Sequence, residues 1–125
     1  MDITLHGIPN CDTVKKARAW LAEHDVAYRF HDFRKDGVSP ALLGPWMTQA
    51  SWELLVNRRG TTWRALPEEK RNAVVDAGSA LALMLESPAV IKRPVLLTSA
   101  GIHVGFSPDM YAQIFSDLPG APQLF

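Results

Sequence analysis

The stretch Asp2-Ile3-Thr4-Leu5-His6-Gly7-Ile8-Pro9-Asn10-Cys11-Asp12-Thr13-Val14-Lys15-Lys16-Ala17-Arg18-Ala19-Trp20-Leu21 decides the fold. Asp2 to His6 alternate polar and apolar, with Ile3 and Leu5 on one face, and Gly7-Ile8-Pro9-Asn10 stops them; this predicts a short strand running into a loop. From Thr13 onward Val14, Ala17, Trp20 and Leu21 fall at helical spacing while Lys15, Lys16 and Arg18 take the opposite face. An amphipathic helix is therefore expected to about His24, with Asn10 or Asp12 able to cap it. Cys11 stands at or just before the start of that helix.

Working outward, Val26, Tyr28 and Phe30 alternate with Ala27, Arg29 and His31, the period-2 pattern of a second strand that Asp36-Gly37 closes off. Strand, helix and strand make a β-α-β unit, for which parallel strands and a right-handed crossover are the expected geometry. Residues 40–86 lack convincing strands and read as helices at Pro40 to Gln49, Trp52 to Asn57, Pro67 to Asp76 and Ser79 to Leu85. Breaks are expected at Arg59-Gly60-Thr61-Thr62 and at Ala77-Gly78. Val95 to Thr98 and Ile102 to Phe106 are β-rich runs joined by Ser99-Ala100-Gly101, a hairpin with a tight connection. Ser107-Pro108 then opens a last helix, Asp109 to Phe115, and an irregular Pro/Gly-rich end is expected from Leu118. The expected fold is α/β: a thioredoxin-like β-α-β and β-β-α core with an all-helical insertion at about 39–87, as one domain over 1–125.

Composition limits what such a chain can do. With 125 residues, 47% apolar and 21% charged, it has the size and composition of one globular domain. Thirteen basic and thirteen acidic residues cancel, so no global field draws it to nucleic acid or to an anionic membrane. No basic-apolar leader opens the chain and no apolar run approaches the roughly 18 residues of a membrane span, so the expected location is cytoplasmic. A lone cysteine cannot close an internal disulfide and is either an inert buried thiol or a reactive one.

Placement at a helix start favours the thiolate, because unpaired N–H groups and the positive end of the helix dipole face the sulfur. Asp12 pulls the other way, and Lys15 and Lys16 partly offset it. Arg93-Pro94 heads the strand Val95 to Thr98; a proline there is either an ordinary trans residue or a cis one that brings backbone close to a ligand. Arg93, and Arg58 or Arg59 in the turn Asn57-Arg58-Arg59-Gly60, can grip a carboxylate or oxyanion bidentately or can simply be solvated. His6, His24, His31 and His103 show no metal-ligand spacing, so no metal is expected. Trp20, Trp46, Trp52 and Trp63 read as packing residues.

Gly7-Ile8-Pro9-Asn10-Cys11-Asp12-Thr13-Val14-Lys15-Lys16-Ala17 resembles the active-site segment of the ArsC/Spx/YffB group of the thioredoxin-like superfamily, closest to the YffB branch. The resemblance continues through Asn57-Arg58-Arg59-Gly60-Thr61-Thr62-Trp63-Arg64-Ala65-Leu66, Ile91-Lys92-Arg93-Pro94-Val95 and Gly101-Ile102-His103-Val104-Gly105-Phe106, in order and over nearly the whole chain. It implies a nucleophilic Cys11 and a cis Pro94 facing it. In the arsenate reductases of the group, cysteine attacks an oxyanion held by arginines, and glutathione with glutaredoxin resolves the adduct; Arg93 matches the arginine before the proline. Two other family arginines fall at Asn57 and at about Phe106, which weakens the anion pocket and with it the case for arsenate reduction. Spx, a regulator that binds RNA polymerase, carries a C-x-x-C pair whose second position is Val14 here, so that disulfide switch cannot form.

The expected activity is a glutathione-dependent thiol oxidoreductase. Cys11 would be its nucleophile, Asn10, Arg58, Arg59, Arg93 and Pro94 would bind glutathione or substrate, and no cofactor would be tightly bound. Its partners would be glutathione, a small oxidised or disulfide substrate, and glutaredoxin. Arsenate reduction and non-catalytic, Spx-like binding of a protein partner are the alternatives.

Overall fold

Leu5, His6 and Gly7 are all buried in succession, so both faces of β1 (Thr4–Gly7) are covered, as in an inner strand of an α/β sheet. The computed structural model describes residues 2–118 and places β1 second in a four-stranded sheet of order β2-β1-β3-β4. β2 (Arg29–Asp32) runs parallel to β1, whereas β3 (Val95–Thr98) is antiparallel to β1 and β4 (Gly101–Val104) is antiparallel to β3. These are the β-α-β and β-β-α halves of a thioredoxin-like core, with α1 (Asp12–Glu23) between β1 and β2 and α7 (Pro108–Asp117) after β4.

One hydrophobic cluster joins Ile3, Leu5 and Leu96 to Ala17, Trp20 and Leu21 of α1 and to Tyr111, Ile114 and Phe115 of α7. The Trp20 ring lies edge-on to Tyr111 at 5.6 Å and stacks on Phe115 at 5.6 Å. Burying an aromatic of this size contributes about 1.5–3 kcal/mol. Serine caps α7: Ser107 Oγ accepts from Met110 N at 3.1 Å, with Pro108 at the first helical position.

The chain divides into two compact units, one built from the segments up to Asp36 and from Arg93 onward, the other from Gly37–Lys92. The second unit is helical: α2 (Pro40–Gln49), α3 (Trp52–Leu55), α4 (Thr61–Ala65), α5 (Glu68–Asn72), α6 (Ala77–Glu86) and a 3-10 turn, Pro88–Val90. Within it, one antiparallel bridge, Val56 to Ile91, is flanked by Lys92 N donating to Leu55 O at 2.7 Å and Asn57 N to Val90 O at 2.8 Å.

Several boundaries differ from the sequence expectation for local reasons. Ala77-Gly78 opens α6 instead of breaking the chain, because Asp76 and Ser79 form a reciprocal capping box: Asp76 Oδ1 accepts from Ser79 N at 2.8 Å and Ser79 Oγ from Asp76 N at 3.1 Å. Thr61-Thr62, expected within a break, begin α4 behind Gly60. The helix expected over Pro67 to Asp76 shortens to α5, and Arg71 Nη1 donates to the carbonyls of Arg64 and Leu66 at 3.0 and 2.7 Å. The helix from Trp52 ends at Leu55, and Phe106 lies beyond β4. Leu118 is buried, and the rest of the expected irregular end lies outside the described residues.

Candidate active site

Gly7 ends β1 in close contact with α1: a Cβ there would stand 2.8 Å from Val14 Cγ2. The turn that follows delivers Cys11, not Asn10 or Asp12, to the N-cap of α1, with extended backbone (φ −97°, ψ 127°). Lys15 N donates to Cys11 O at 2.9 Å, the first helical bond. No side chain closes a conventional capping bond at this end, so the N–H groups of the first turn remain available to a charge.

The register of the sheet brings in the second half of the site. His6 of β1 is opposite Val95 of β3, so the Arg93-Pro94 segment that enters β3 lies beyond the same end of β1 as Cys11. The Arg93-Pro94 peptide bond is cis. Pro94 O accepts from Gly105 N at 2.8 Å, which ties the end of the β3–β4 hairpin to this segment.

Cys11 is half-buried, and partial desolvation pushes its thiol up. Hydrogen bonding from Val14 N–H, from the Arg93 side chain and from Thr13 N–H, with the Arg93 charge, outweighs burial and holds the thiol below its ordinary range. Asp12, Lys15 and Lys16 are exposed, and the balance rests on the helix start and Arg93.

His6 of β1, expected only not to bind a metal, is buried next to Gly7. His6 is 2% exposed, its Nδ1 lies 3.0 Å from Val95 O, and its ring centroid is 5.0 Å from that of His31, its partner across β1 and β2. Desolvation brings its pKa down to about 4, so it is neutral at pH 7. Alternation along β1 sets His6 on the face opposite Ile3 and Leu5, and only the cover over both faces of the strand buries it.

The structure thus brings Cys11, Arg93 and Pro94 into one unit, with exposed Asn10 in the preceding turn. Arg58 and Arg59 belong to the second unit. Arg58 lies 3.6 Å from Glu53 and 5.9 Å from the Trp52 ring, and both arginines line a recess with Asn57 and Lys92. Among the described residues no cluster of His, Cys, Asp and Glu could hold a metal, and no helix is long and apolar enough to cross a membrane.

The model of the ArsC family matches residues 6–114. The chain belongs to the ArsC family. Among solved structures, this ArsC-family chain is similar to a YffB protein, with 47% identity, TM-score 0.84 and coverage of 89% of this chain and 96% of that one. It is also similar to an arsenate reductase (ArsC) related protein from Brucella melitensis, with 47% identity, TM-score 0.74 and coverage of 94% and 97%. The global transcriptional regulator Spx of Streptococcus agalactiae is 28% identical over 86% of this chain and 78% of its own. Family and fold are therefore arsenate-reductase-like, and Cys11 lies within the matched residues.

Proposed function

We propose that this ArsC-family protein is a glutathione-dependent thiol oxidoreductase with Cys11 as nucleophile. The carrying observation is the thiol held below its ordinary range by Val14 and Thr13 N–H and by Arg93, a setting that favours the thiolate over the thiol. The Cys11 thiolate attacks one sulfur of a disulfide substrate, an S–S bond forms to Cys11, and the displaced thiolate takes a proton from solvent. No second cysteine is present to resolve the adduct. The thiolate of a glutathione molecule attacks it instead, giving a glutathione disulfide and restoring the Cys11 thiolate. Arg93 stabilises negative sulfur at both attacks and has the geometry of a carboxylate binder.

The test is alkylation of the native protein across pH, together with intact mass after exposure to oxidised glutathione. One glutathione adduct is expected, absent in Cys11→Ser, with alkylation persisting at a pH where an ordinary thiol is protonated. Arg93→Gln is expected to raise the thiol pKa and to lower kcat/KM on the order of tenfold to a hundredfold, the scale of a hydrogen bond to a charged group. An ordinary titration without an adduct refutes the proposal. Arsenate-dependent turnover that exceeds disulfide turnover would replace it with arsenate reduction.

A further inference from the structure

Histidine is an unfavourable side chain to seal inside a sheet, because an apolar residue of similar size packs there without losing hydration, whereas a buried imidazole needs partners for its ring nitrogens. His6 is nonetheless sealed, in a stretch of β1 and β3 whose other members, Leu5, Val95 and Leu96, are apolar and fully buried. Its Nδ1–H donates to Val95 O at 3.0 Å; a carbonyl can only accept, so the proton sits on Nδ1. The ring packs against His31 at 5.0 Å and stacks on Phe33 at 6.5 Å between centroids, which holds it in that pose.

The bond stands at the last rung of the antiparallel ladder between β1 and β3, where His6 is paired with Val95. Past this rung the two strands part. β1 runs through Gly7 into the turn that ends at Cys11, and β3 traces back through Pro94 to Arg93, whose side chain bonds the sulfur. β3 lies between β1 and β4, and Pro94 O accepts from Gly105 N at 2.8 Å beyond the end of β4. Consecutive carbonyls next to Arg93 are thus gripped from the two sides of the strand, one by His6 and one by Gly105. An unbroken series of bonds leads from the imidazole to Val95 O, along the backbone to Arg93, and from its guanidinium to Cys11. A guanidinium on a long side chain keeps a good hydrogen bond only while its root stays within about 0.5 Å of the right place.

We propose that His6 is a positioning residue for the thiol: by tying Val95 O to β1 it fixes where β3 begins, and so holds the Arg93 guanidinium on the Cys11 sulfur. This rests on Cys11 being the nucleophile. The part His6 plays is that of a donor. A side chain that offers an N–H to Val95 O from the same position does the same work, and one that fills the space without a donor does not. The amide of asparagine can supply that N–H, and leucine cannot.

The experiment follows alkylation of Cys11 by iodoacetamide across pH in the native protein, His6→Asn, His6→Leu, Arg93→Gln and the double variant His6→Leu with Arg93→Gln. Each rate at pH 6 is divided by the same variant's plateau at high pH, so that access to the sulfur cancels. His6→Leu is expected to lower this ratio about threefold to tenfold, the scale of one hydrogen bond, and His6→Asn to keep most of it. In the Arg93→Gln background His6→Leu is expected to change the ratio little, because the guanidinium through which it acts is gone. Urea unfolding of each variant checks that the fold is kept; His6→Met, whose flexible chain fills the space without a donor, replaces His6→Leu if that variant does not fold. A native ratio equal to that of a free thiol overturns the oxidoreductase, and the positioning role with it. A depressed native thiol overturns the positioning role alone if its ratio is unchanged in His6→Leu, falls equally in His6→Asn, or falls as far in the Arg93→Gln background.

Discussion

Cys11, His6 and Tyr111 show burial acting on three ionisable groups with three results. At Cys11 the desolvation cost is outweighed, because N–H donors and a guanidinium face the sulfur. At His6 desolvation wins: the Val95 carbonyl at Nδ1 offsets only part of the burial cost, neighbouring His31 adds to it, and the pKa drops to about 4 from 6.5. The sign follows from linkage. Between pH 6.5 and about 4 the unfolded chain binds the proton that folded His6 refuses, so this contribution is complete above pH 6.5 and is lost as pH falls through about 4. Its size is about 3 kcal/mol, from roughly 1.4 kcal/mol per pKa unit. Urea unfolding at pH 7.5 and pH 4.5 is expected to show that slope in the native protein and a shallower one in His6→Asn. At Tyr111 the fully buried hydroxyl has no hydrogen-bond partner among the described residues, and desolvation raises its pKa. Tyr111→Phe removes that orphan without changing the ring, and is expected to leave stability equal or higher by about 1 kcal/mol, read as Tm.

At the scale of elements, the approach of β1 to α1 is what sets Cys11 in place, and Gly7 permits it. Val14 is fully buried and β-branched, so it cannot swing away from an added methyl at 2.8 Å. Gly7→Ala is expected to cost about 1–3 kcal/mol. Chemical denaturation of the single variants and of Gly7→Ala with Val14→Ala should show the double variant less destabilised than the sum of the singles. β2 shows how pairing overrides periodicity. The alternation starting at Val26 is real, and Val26 is buried, but its N–H closes the end of α1 on Leu21 O at 2.9 Å after Asp25 turns left-handed at φ 55°. Parallel pairing with β1 begins only at Arg29, opposite Thr4. The alternation located the strand, and its first residues went to the helix cap instead.

For the whole molecule, thirteen cationic and thirteen anionic side chains place the pI near 6.9. Colloidal repulsion is weakest there, so solubility in low salt is expected to pass through a minimum close to pH 7 and to rise on either side, measured by precipitation across pH. Under the proposed function, the same balance leaves recognition at Cys11 to local groups such as Arg93 and not to long-range steering.

Local rules carry a large part of this protein. The strand-loop-helix around Cys11, the hairpin after Pro94 and the serine-capped last helix were legible because they rest on periodicity of two or 3.6 and on turn chemistry within a few residues. The helical composition of Gly37–Lys92 was legible too, while its boundaries turned on the Asp76–Ser79 box and on Arg71 bonding earlier carbonyls, partnerships that periodicity does not display. What only the tertiary structure decided is which distant residues share a site. Whether Arg93 reaches the sulfur, whether His6 is sealed from water and whether its ring meets Val95 O depend on the β1–β3 register and on core packing. Those are contacts between opposite ends of the chain, and their energies are set by burial and dielectric, which no local window of sequence contains.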